Sequence, residues 1–247
     1  MTSTIFSPPP LDLELGTNEI HVWRASLDQP IPRFHKLREM LSKDERMRAG
    51  RFHFEQDRKR FIVGRGILRT ILGRYLNVEP ARLQFCYGKN GKPALSDTFN
   101  KINIFFNMSD SGRLAIYALS RDGEIGVDIE QICDLPERNR IADQFFSVRE
   151  RAVFRALPEI MKNEAFFNCW TRKEAFIKAI GDGLSLPLDK FDVSLVPGEP
   201  ARLLRVVGDP KGAIRWSIQE LEPASGYVAA IAIEGQIKQL HCLQWQE

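Results

Sequence analysis

The stretch Gly126-Val127-Asp128-Ile129-Glu130 alternates apolar and acidic residues, which is the pattern of a half-buried β-strand. Residues two apart in a strand point to the same face, so Asp128 and Glu130 would present both carboxylates on one side while Val127 and Ile129 face a core. Two neighbouring carboxylates repel each other unless a cation lies between them, and oxygen ligands of this kind suit Mg²⁺. The strand therefore predicts a magnesium site.

A second stretch, Trp170-Thr171-Arg172-Lys173-Glu174-Ala175-Phe176-Ile177-Lys178, reads as a helix. It adds a third carboxylate, Glu174, with Lys178 one turn further along the same face. The alternative is an ordinary ion pair between these two residues on a solvated helix surface. Lys173 falls within the apolar stripe of the helix, and a buried lysine needs a carboxylate or a path to solvent. We interpret this placement as favouring an organised site for magnesium–phosphate chemistry.

The order of elements outside these motifs indicates an α+β fold in which helices and then strands occur twice. Capping boxes at Ser42 and Ser147 each begin a helix. This order divides the chain into two pseudo-symmetric α+β subdomains, residues 1–121 and 122–247, the second of which carries the acidic motifs. Strands are predicted at 19–24, 83–86, 103–108, 113–119, 125–130, 191–195, 202–207, 214–220 and 227–233, and further helices at 32–41, 56–76, 138–145 and 163–180.

Composition excludes several classes of protein. The chain has 247 residues, 43% of them hydrophobic, and a formal charge of +3, which does not demand a nucleic-acid partner. It has no apolar run long enough to cross a membrane and no signal-peptide pattern, so we expect a cytoplasmic protein with reduced cysteines. The histidines show no metal-ligand spacing, and we expect none of them in catalysis; they are His21, His35, His53 and His241.

Two basic segments have both an ordinary and a functional interpretation. The turn Gly88-Lys89-Asn90-Gly91-Lys92-Pro93 is either a solvated hairpin or a loop whose lysines and backbone amides bind a nucleotide. The basic residues between Arg46 and Arg60 form either a solvated helix face or an arginine cluster that binds a terminal phosphate.

Taken together, the motifs resemble the signature of the 4′-phosphopantetheinyl transferase superfamily. The resemblance rests on Asn90-Gly91-Lys92-Pro93, on Phe106-Asn107-Met108-Ser109-Asp110-Ser111 and on residues 125–130, 170–178 and 181–184, in this order along the chain. The length is similar to that of the long, Sfp-like class, in which one chain carries two pseudo-symmetric halves.

The resemblance implies that the phosphopantetheine arm of coenzyme A is transferred to a serine of an apo acyl or peptidyl carrier protein, with release of adenosine 3′,5′-bisphosphate. It implies Mg²⁺ as the cofactor and coenzyme A as the co-substrate. By position, the resemblance implies that the metal ligands are Asp128, Glu130 and Glu174. It implies two catalytic residues, Glu174 as the base and Lys178 at the pyrophosphate. The residues that it implies for coenzyme binding are Arg48, Asn90, Gly91, Lys92, Pro93, Ser109, Asp110 and Lys178.

Two positions depart from the family pattern. Asp110 stands where a histidine usually helps bind the 3′-phosphate of the coenzyme, and Glu45 stands where a basic residue is common. Both changes remove positive charge, so we expect weaker recognition of the 3′-phosphate.

Other functions remain open at this point. A degenerate relative would bind coenzyme A or a carrier protein without turnover, and a magnesium-dependent nuclease or phosphatase would use the same acidic cluster. Because both halves of the site lie on one chain, we expect a monomer, with no nucleic acid or membrane as partner.

Overall fold

The computed structural model describes residues 4–88, 90–181 and 186–246. In the first half of the chain, a strand is followed by three helices and then by four strands. These elements are β1 Glu19–Ser26, α1 Ile31–Glu39, α2 Lys43–Ala49, α3 Glu55–Leu76, β2 Phe85–Tyr87, β3 Pro93–Leu95, β4 Phe105–Ser111 and β5 Leu114–Ser120.

The second half repeats this order, with one short extra helix and one extra strand. Its elements are β6 Ile125–Gln131, α4 Arg138–Phe145, α5 Val148–Ala156, α6 Glu159–Ile180, β7 Phe191–Val193, β8 Leu203–Val206, α7 Gly212–Arg215, β9 Trp216–Leu221, β10 Tyr227–Glu234 and β11 Gln239–Gln244. The long helices α3 and α6 have 22 residues each, and each is the third helix after the first strand of its half, so they occupy equivalent places. The mixed α+β architecture with two similar subdomains is therefore confirmed.

The sheets show the same correspondence. Strands β1, β5 and β4 lie next to one another in the first sheet, and β6, β10 and β9 lie next to one another in the second, so each half places its strands in the same order. Strand β11 is the exception, because it leaves the second half and pairs in parallel with β1 at the edge of the first sheet. The predicted boundary between residues 121 and 122 falls between β5 and β6.

Several element boundaries differ from the sequence-based expectation. Strand β4 continues beyond the predicted end at residue 108, through Ser109 and Asp110 to Ser111, and the turn that follows is confined to Gly112 and Arg113. Ile214 lies in helix α7 instead of at the start of a strand. The short strand β3 and the last strand β11 were not predicted.

Ion pairs inside each half fix the capping-box helices to the long helices. In the first half, Glu45 is buried and closes the capping box with Ser42. One of its carboxylate oxygens accepts from Arg65 at 2.9 Å, and the other accepts from Arg69 at 2.6 Å. Burial raises the pKa of Glu45, but the two guanidinium groups outweigh it, so the net pKa is lowered. The carboxylate is therefore ionised and joins α2 to α3.

In the second half, Glu150 has the same role. It closes the capping box with Ser147 and lies 2.8 Å from the ammonium nitrogen of Lys173 on α6. Lys173 is fully buried and also donates to the carbonyl oxygens of Leu188 and Phe191, each at 2.7 Å. The interpretation of buried Lys173 as a sign of the functional site was wrong, because its partner is this structural glutamate.

Helix α6 lies against strand β6 at unusually close range. A Cβ atom at Gly126 would overlap the carbonyl oxygen of Ala175 and the backbone nitrogen of Ala179. Only glycine permits this approach, so the glycine that opens the first motif brings the strand bearing Asp128 against the helix bearing Glu174. Within the residues that the structure describes, no helix is long and apolar enough to cross a membrane.

The buried pair between α2 and α3 makes a prediction about stability. Replacing Glu45 with Gln leaves the guanidinium groups of Arg65 and Arg69 buried without a counter-charge, which costs about 3–5 kcal/mol. We expect the free energy of unfolding, measured by urea denaturation at neutral pH, to fall by this amount. Glu39→Gln, at an exposed position at the end of α1, is the control and should change it by less than about 0.5 kcal/mol. Equal stability of the two variants would show that the pair does not hold the helices together.

Candidate active site

The two halves of the chain meet where β4 lies beside β6. Both strands are at the edge of their own sheets, and polar side chains of β4 bind the neighbouring strand. Asn107 accepts a hydrogen bond from the backbone N–H of Val127 at 2.9 Å, and Ser111 accepts one from Gln131 at 3.1 Å. These contacts fix the register in which the first half faces Asp128 and Glu130.

The predicted site residues Ser109, Asp128 and Lys178 meet at this junction. The Lys178 ammonium group donates to Asp128 Oδ1 at 2.6 Å and to Ser109 Oγ at 3.0 Å, and the Ser109 hydroxyl donates to the same Asp128 oxygen at 2.8 Å. On the same face of β6, the Ser111 hydroxyl donates to Glu130 at 2.7 Å. Strand β4, strand β6 and helix α6 therefore each contribute to one polar cluster.

All three predicted metal ligands have raised pKa values. Burial is the main cause for each, and the neighbouring carboxylates add to it: Asp128 raises the pKa of both Glu130 and Glu174. Lys178 lowers all three values, but burial outweighs it. Three carboxylates facing one ammonium group leave two uncompensated negative charges, which a divalent cation would neutralise.

The donor atoms fit a hard divalent cation such as Mg²⁺. Asp128 Oδ2 is buried, and it has no hydrogen-bond partner in the described part of the chain. An unsatisfied buried carboxylate oxygen is costly, and binding a cation removes the cost. Among the described residues, oxygen atoms of the three carboxylates do not all lie within 4.8 Å of one another. Side-chain rotation is therefore needed to bring Asp128, Glu130 and Glu174 around one ion.

Asp110 lies on β4 next to this cluster, and Asp57 and Arg60 at the start of α3 are close enough to affect its pKa. Partial burial raises its pKa, with contributions from Asp128 and Asp57, whereas Lys178 and Arg60 lower it. Arg60 thus supplies positive charge close to Asp110, and its Nε is buried with no partner in the described residues. The expected loss of charge at Asp110 is therefore partly offset by this arginine.

Arg48 lies in a cavity of about 600 Å³ between α2 and the turn after β2. The cavity is also lined by Arg51, Tyr87 and Gly91, so the structure brings Gly91 of the basic turn close to Arg48. Glu45 is not among the lining residues, because its carboxylate is buried against Arg65 and Arg69. The expectation that Glu45 weakens recognition of the 3′-phosphate stays a prediction; the structure shows that its carboxylate is paired with Arg65 and Arg69 inside the protein.

Asn90, Lys92 and Pro93 line an adjoining cavity that also contacts the end of α6. The Lys92 ammonium donates to Glu124 at 2.6 Å and to the backbone carbonyls of Ile125 and Ala179. The Asn90 side-chain amide donates to the carbonyl of Gly181 at 3.3 Å. This loop therefore ties the first half to β6 and α6 at the edge of the site. Lys89 and residues 182–184 of the predicted motifs lie outside the described residues.

Sequence reasoning named Ser109 and Asp110 but missed two other polar side chains of β4, Asn107 and Ser111. Asn107, Ser109 and Ser111 alternate with Met108 and Asp110, and this period of two is a strand signal. The predicted strand ended at residue 108, ahead of both serines.

Two family models match the chain, one in each half. A family model described as the 4′-phosphopantetheinyl transferase superfamily matches residues 124–232, and one described as the N-terminal part of 4′-phosphopantetheinyl transferase matches residues 21–121. The first matched region contains all three carboxylates and Lys178, and the second contains Ser109 and Asp110.

Individual relatives extend the match over most of the chain. The 4′-phosphopantetheinyl transferase HetI of Nostoc sp. is 42% identical over 92% of this chain and 93% of its own length. The 4′-phosphopantetheinyl transferase Sfp of Bacillus subtilis is 33% identical over 70% of this chain and 76% of its own length. Among solved structures, the match to holo-[acyl-carrier-protein] synthase of Thermotoga maritima covers 46% of this chain and 63% of the synthase chain. The two chains are 18% identical in sequence, and the TM-score is 0.37. The chain belongs to the 4′-phosphopantetheinyl transferase superfamily, in its long, Sfp-like class.

Proposed function

We propose that this protein transfers the 4′-phosphopantetheine arm of coenzyme A to a serine of an apo acyl or peptidyl carrier protein, releases adenosine 3′,5′-bisphosphate and depends on Mg²⁺. The observation that carries the proposal is the cluster of Asp128, Glu174 and Lys178 at the junction of the two halves, next to Ser109. Family membership supports the reaction class.

The residues of the cluster match the charges that develop in this reaction. The carrier serine attacks a phosphorus atom of the pyrophosphate, so a base must take its proton and cations must hold the leaving group. Glu174 is the base in this proposal, because burial and the nearby Asp128 raise its pKa and make it a better proton acceptor. Lys178 and the Ser109 hydroxyl bind the phosphate oxygens once they are released from Asp128.

The metal in this proposal is held by Asp128, Glu130 and Glu174. When bound, Mg²⁺ supplies electrostatic neutralisation of the pyrophosphate oxygens. The Asp128 oxygen that has no partner among the described residues supports this assignment. Arg48 and Arg51 bind the 3′-phosphate in the cavity beside Gly91, and Arg60 contributes from α3.

We propose that one chain is the active unit, because α3 and β4 come from the first subdomain and β6 and α6 from the second. The division into subdomains 1–121 and 122–247 and the cytoplasmic location stay predictions.

The intact mass of an apo carrier protein tests the proposed reaction. Incubation with this protein, coenzyme A and Mg²⁺ should add one phosphopantetheine to the carrier, and EDTA should prevent the addition. A carrier in which the acceptor serine is replaced by alanine is the matched control and should gain no mass. If several unrelated apo carriers gain no mass while coenzyme A still binds, the proposed transfer is wrong and the protein is a binding module.

Replacing Glu174 with Gln tests the base. Because Gln cannot accept the serine proton, we expect the rate of transfer at saturating substrates to fall by about 10²–10⁴-fold. Coenzyme A binding, measured by isothermal titration calorimetry, should change little. Glu164→Gln, on the same helix but facing Glu220 and Glu222, is the control and should retain activity. A Glu174→Gln enzyme with wild-type rate would remove Glu174 from the role of base.

Replacing Asp110 with His tests recognition of the 3′-phosphate. A histidine can donate a hydrogen bond where the aspartate repels the phosphate, and a hydrogen bond to a charged group contributes about 1.5–3 kcal/mol. We expect the ratio of kcat/KM for coenzyme A over dephospho-coenzyme A to rise by about tenfold or more. Asp134→His, at an exposed position away from the site, should leave the ratio unchanged. An unchanged ratio in Asp110→His would mean that this position does not face the 3′-phosphate.

A further inference from the structure

A second polar cluster lies where the last strand of the chain joins the first sheet. Strands β1 and β11 are parallel, and His21 on β1 is the direct register partner of His241 on β11. Directly paired residues on adjacent strands project their side chains to the same face. His21 packs against Tyr75 of α3, so this face is the one covered by α3. The cluster contains none of the active-site residues.

Three side chains converge at this place. One ligand atom from each of Glu19, His21 and His241 lies within 4.8 Å of the other two. The separation between Glu19 Oε2 and His21 Nε2 is 3.7 Å, and the centroids of the two imidazole rings are 5.1 Å apart. Ligand atoms of a tetrahedral zinc site are about 3.3–3.5 Å apart, as follows from bond lengths near 2.0–2.1 Å. Glu19 is partly exposed and His241 is exposed, so both side chains can rotate through the remaining distance.

The buried histidine is held in position from behind. Tyr75 Oη lies 2.6 Å from His21 Nδ1, and the indole N–H of Trp23 donates to the same Tyr75 oxygen at 3.0 Å. This arrangement directs His21 Nε2 towards Glu19 and His241. A histidine that binds a metal through one nitrogen usually has its other nitrogen held by such a partner. Glu19 Oε2 is likewise oriented, because it accepts a hydrogen bond from the backbone N–H of Gly16 at 2.8 Å.

An ion pair explains the arrangement poorly. Glu19 Oε2 and His21 Nε2 are 3.7 Å apart, which is longer than a direct hydrogen bond. A neutral imidazole has a free lone pair for a metal once its single proton resides on Nδ1, where it can donate to Tyr75.

We propose that Glu19, His21 and His241 form a binding site for a divalent transition-metal ion, and that Zn²⁺ is the ion whose chemistry fits best. Two imidazoles and one carboxylate are a common ligand set for zinc, with the fourth position left to water or another ligand. Mg²⁺ prefers oxygen ligands and does not suit two imidazoles, so this site and the carboxylate cluster select different metals.

Binding at this site would join the end of the chain to its beginning. Strand β11 lies at the edge of the first sheet and is the part of the second half that crosses to the first. An ion held by His241 and by two residues of β1 would fasten that strand. Metal occupancy would therefore stabilise the association of the two halves without touching the phosphate-binding residues.

Metal titration of the untagged full-length protein in excess Mg²⁺ tests this proposal. We expect one equivalent of Zn²⁺ to bind, measured by competition with a chromophoric chelator, and Co²⁺ at the same site to give the intense visible absorption of tetrahedral coordination. His241→Ala should weaken Zn²⁺ binding at least tenfold, and Tyr75→Phe by about 10–100-fold, because it removes the hydroxyl that orients His21. His53→Ala, which removes another exposed histidine, is the matched control and should bind as the wild type does.

Thermal unfolding gives a second readout that does not depend on activity. Zn²⁺ should raise the Tm of the wild type and of His53→Ala but not that of His241→Ala. Equal Zn²⁺ affinity in the wild type and His241→Ala would overturn the proposal, as would the absence of Zn²⁺ binding by the wild type. Loss of Zn²⁺ binding in Asp128→Asn instead of His241→Ala would also overturn it, since the ion would then occupy the carboxylate cluster.

Discussion

The close approach of β6 to α6 is the constraint on which the site depends. Because Gly126 has no side chain, the backbone of the strand lies directly against the turns of the helix that contain Ala175 and Ala179. Asp128 is two residues further along the strand, and Glu174 and Lys178 flank the contact on the helix. The side chains of Asp128 and Lys178 are therefore in contact between the strand and the helix. A methyl group at Gly126 would push the strand and the helix apart. The distance of 2.6 Å between Lys178 and Asp128 is a consequence of backbone packing as well as of charge attraction.

A buried ion pair of the same kind stabilises the packing of the helices in each half of the chain. A capping-box glutamate at the start of the second helix reaches a cation on the long helix: Glu45 reaches Arg65 and Arg69, and Glu150 reaches Lys173. A buried charge is tolerated only when it is paired and hydrogen-bonded, and both glutamates meet this condition. The long helices are thus anchored at their buried faces, which leaves the face of α6 that bears Glu174 and Lys178 free to serve the site.

Much of the fold and of the candidate site could be predicted from the sequence, because local sequence patterns determine these features. The alternation of Asp128 and Glu130, the two capping boxes and the helical spacing of Glu174 and Lys178 each depend on a few consecutive residues. The structural pairing of Lys173 and Glu45 could not be predicted, because their partners, Glu150 and the pair Arg65 and Arg69, are distant in sequence and only the fold brings them together. The pairing of His21 with His241 was invisible for the same reason, since it depends on β11 returning to β1. The strand character of Ser109 was hidden by the turn residues that follow it.

The carboxylate cluster lowers the stability of the folded protein at neutral pH, and the direction of the pKa changes shows why. A carboxyl group whose pKa is raised in the folded state binds protons more readily there than in the unfolded chain, so folding loses stability as pH rises through that pKa. Asp128, Glu130 and Glu174 all have raised values, chiefly through burial. Lys178 offsets part of this penalty by its contact with Asp128, and a divalent cation would offset more. In the proposed function, a phosphate ligand that draws Lys178 away from Asp128 would increase the charge left on the carboxylates, so cation binding and phosphate binding would reinforce each other. Without a ligand, the contacts of Ser109 and Ser111 from β4 and the contact of Lys178 with Asp128 hold the cluster in place.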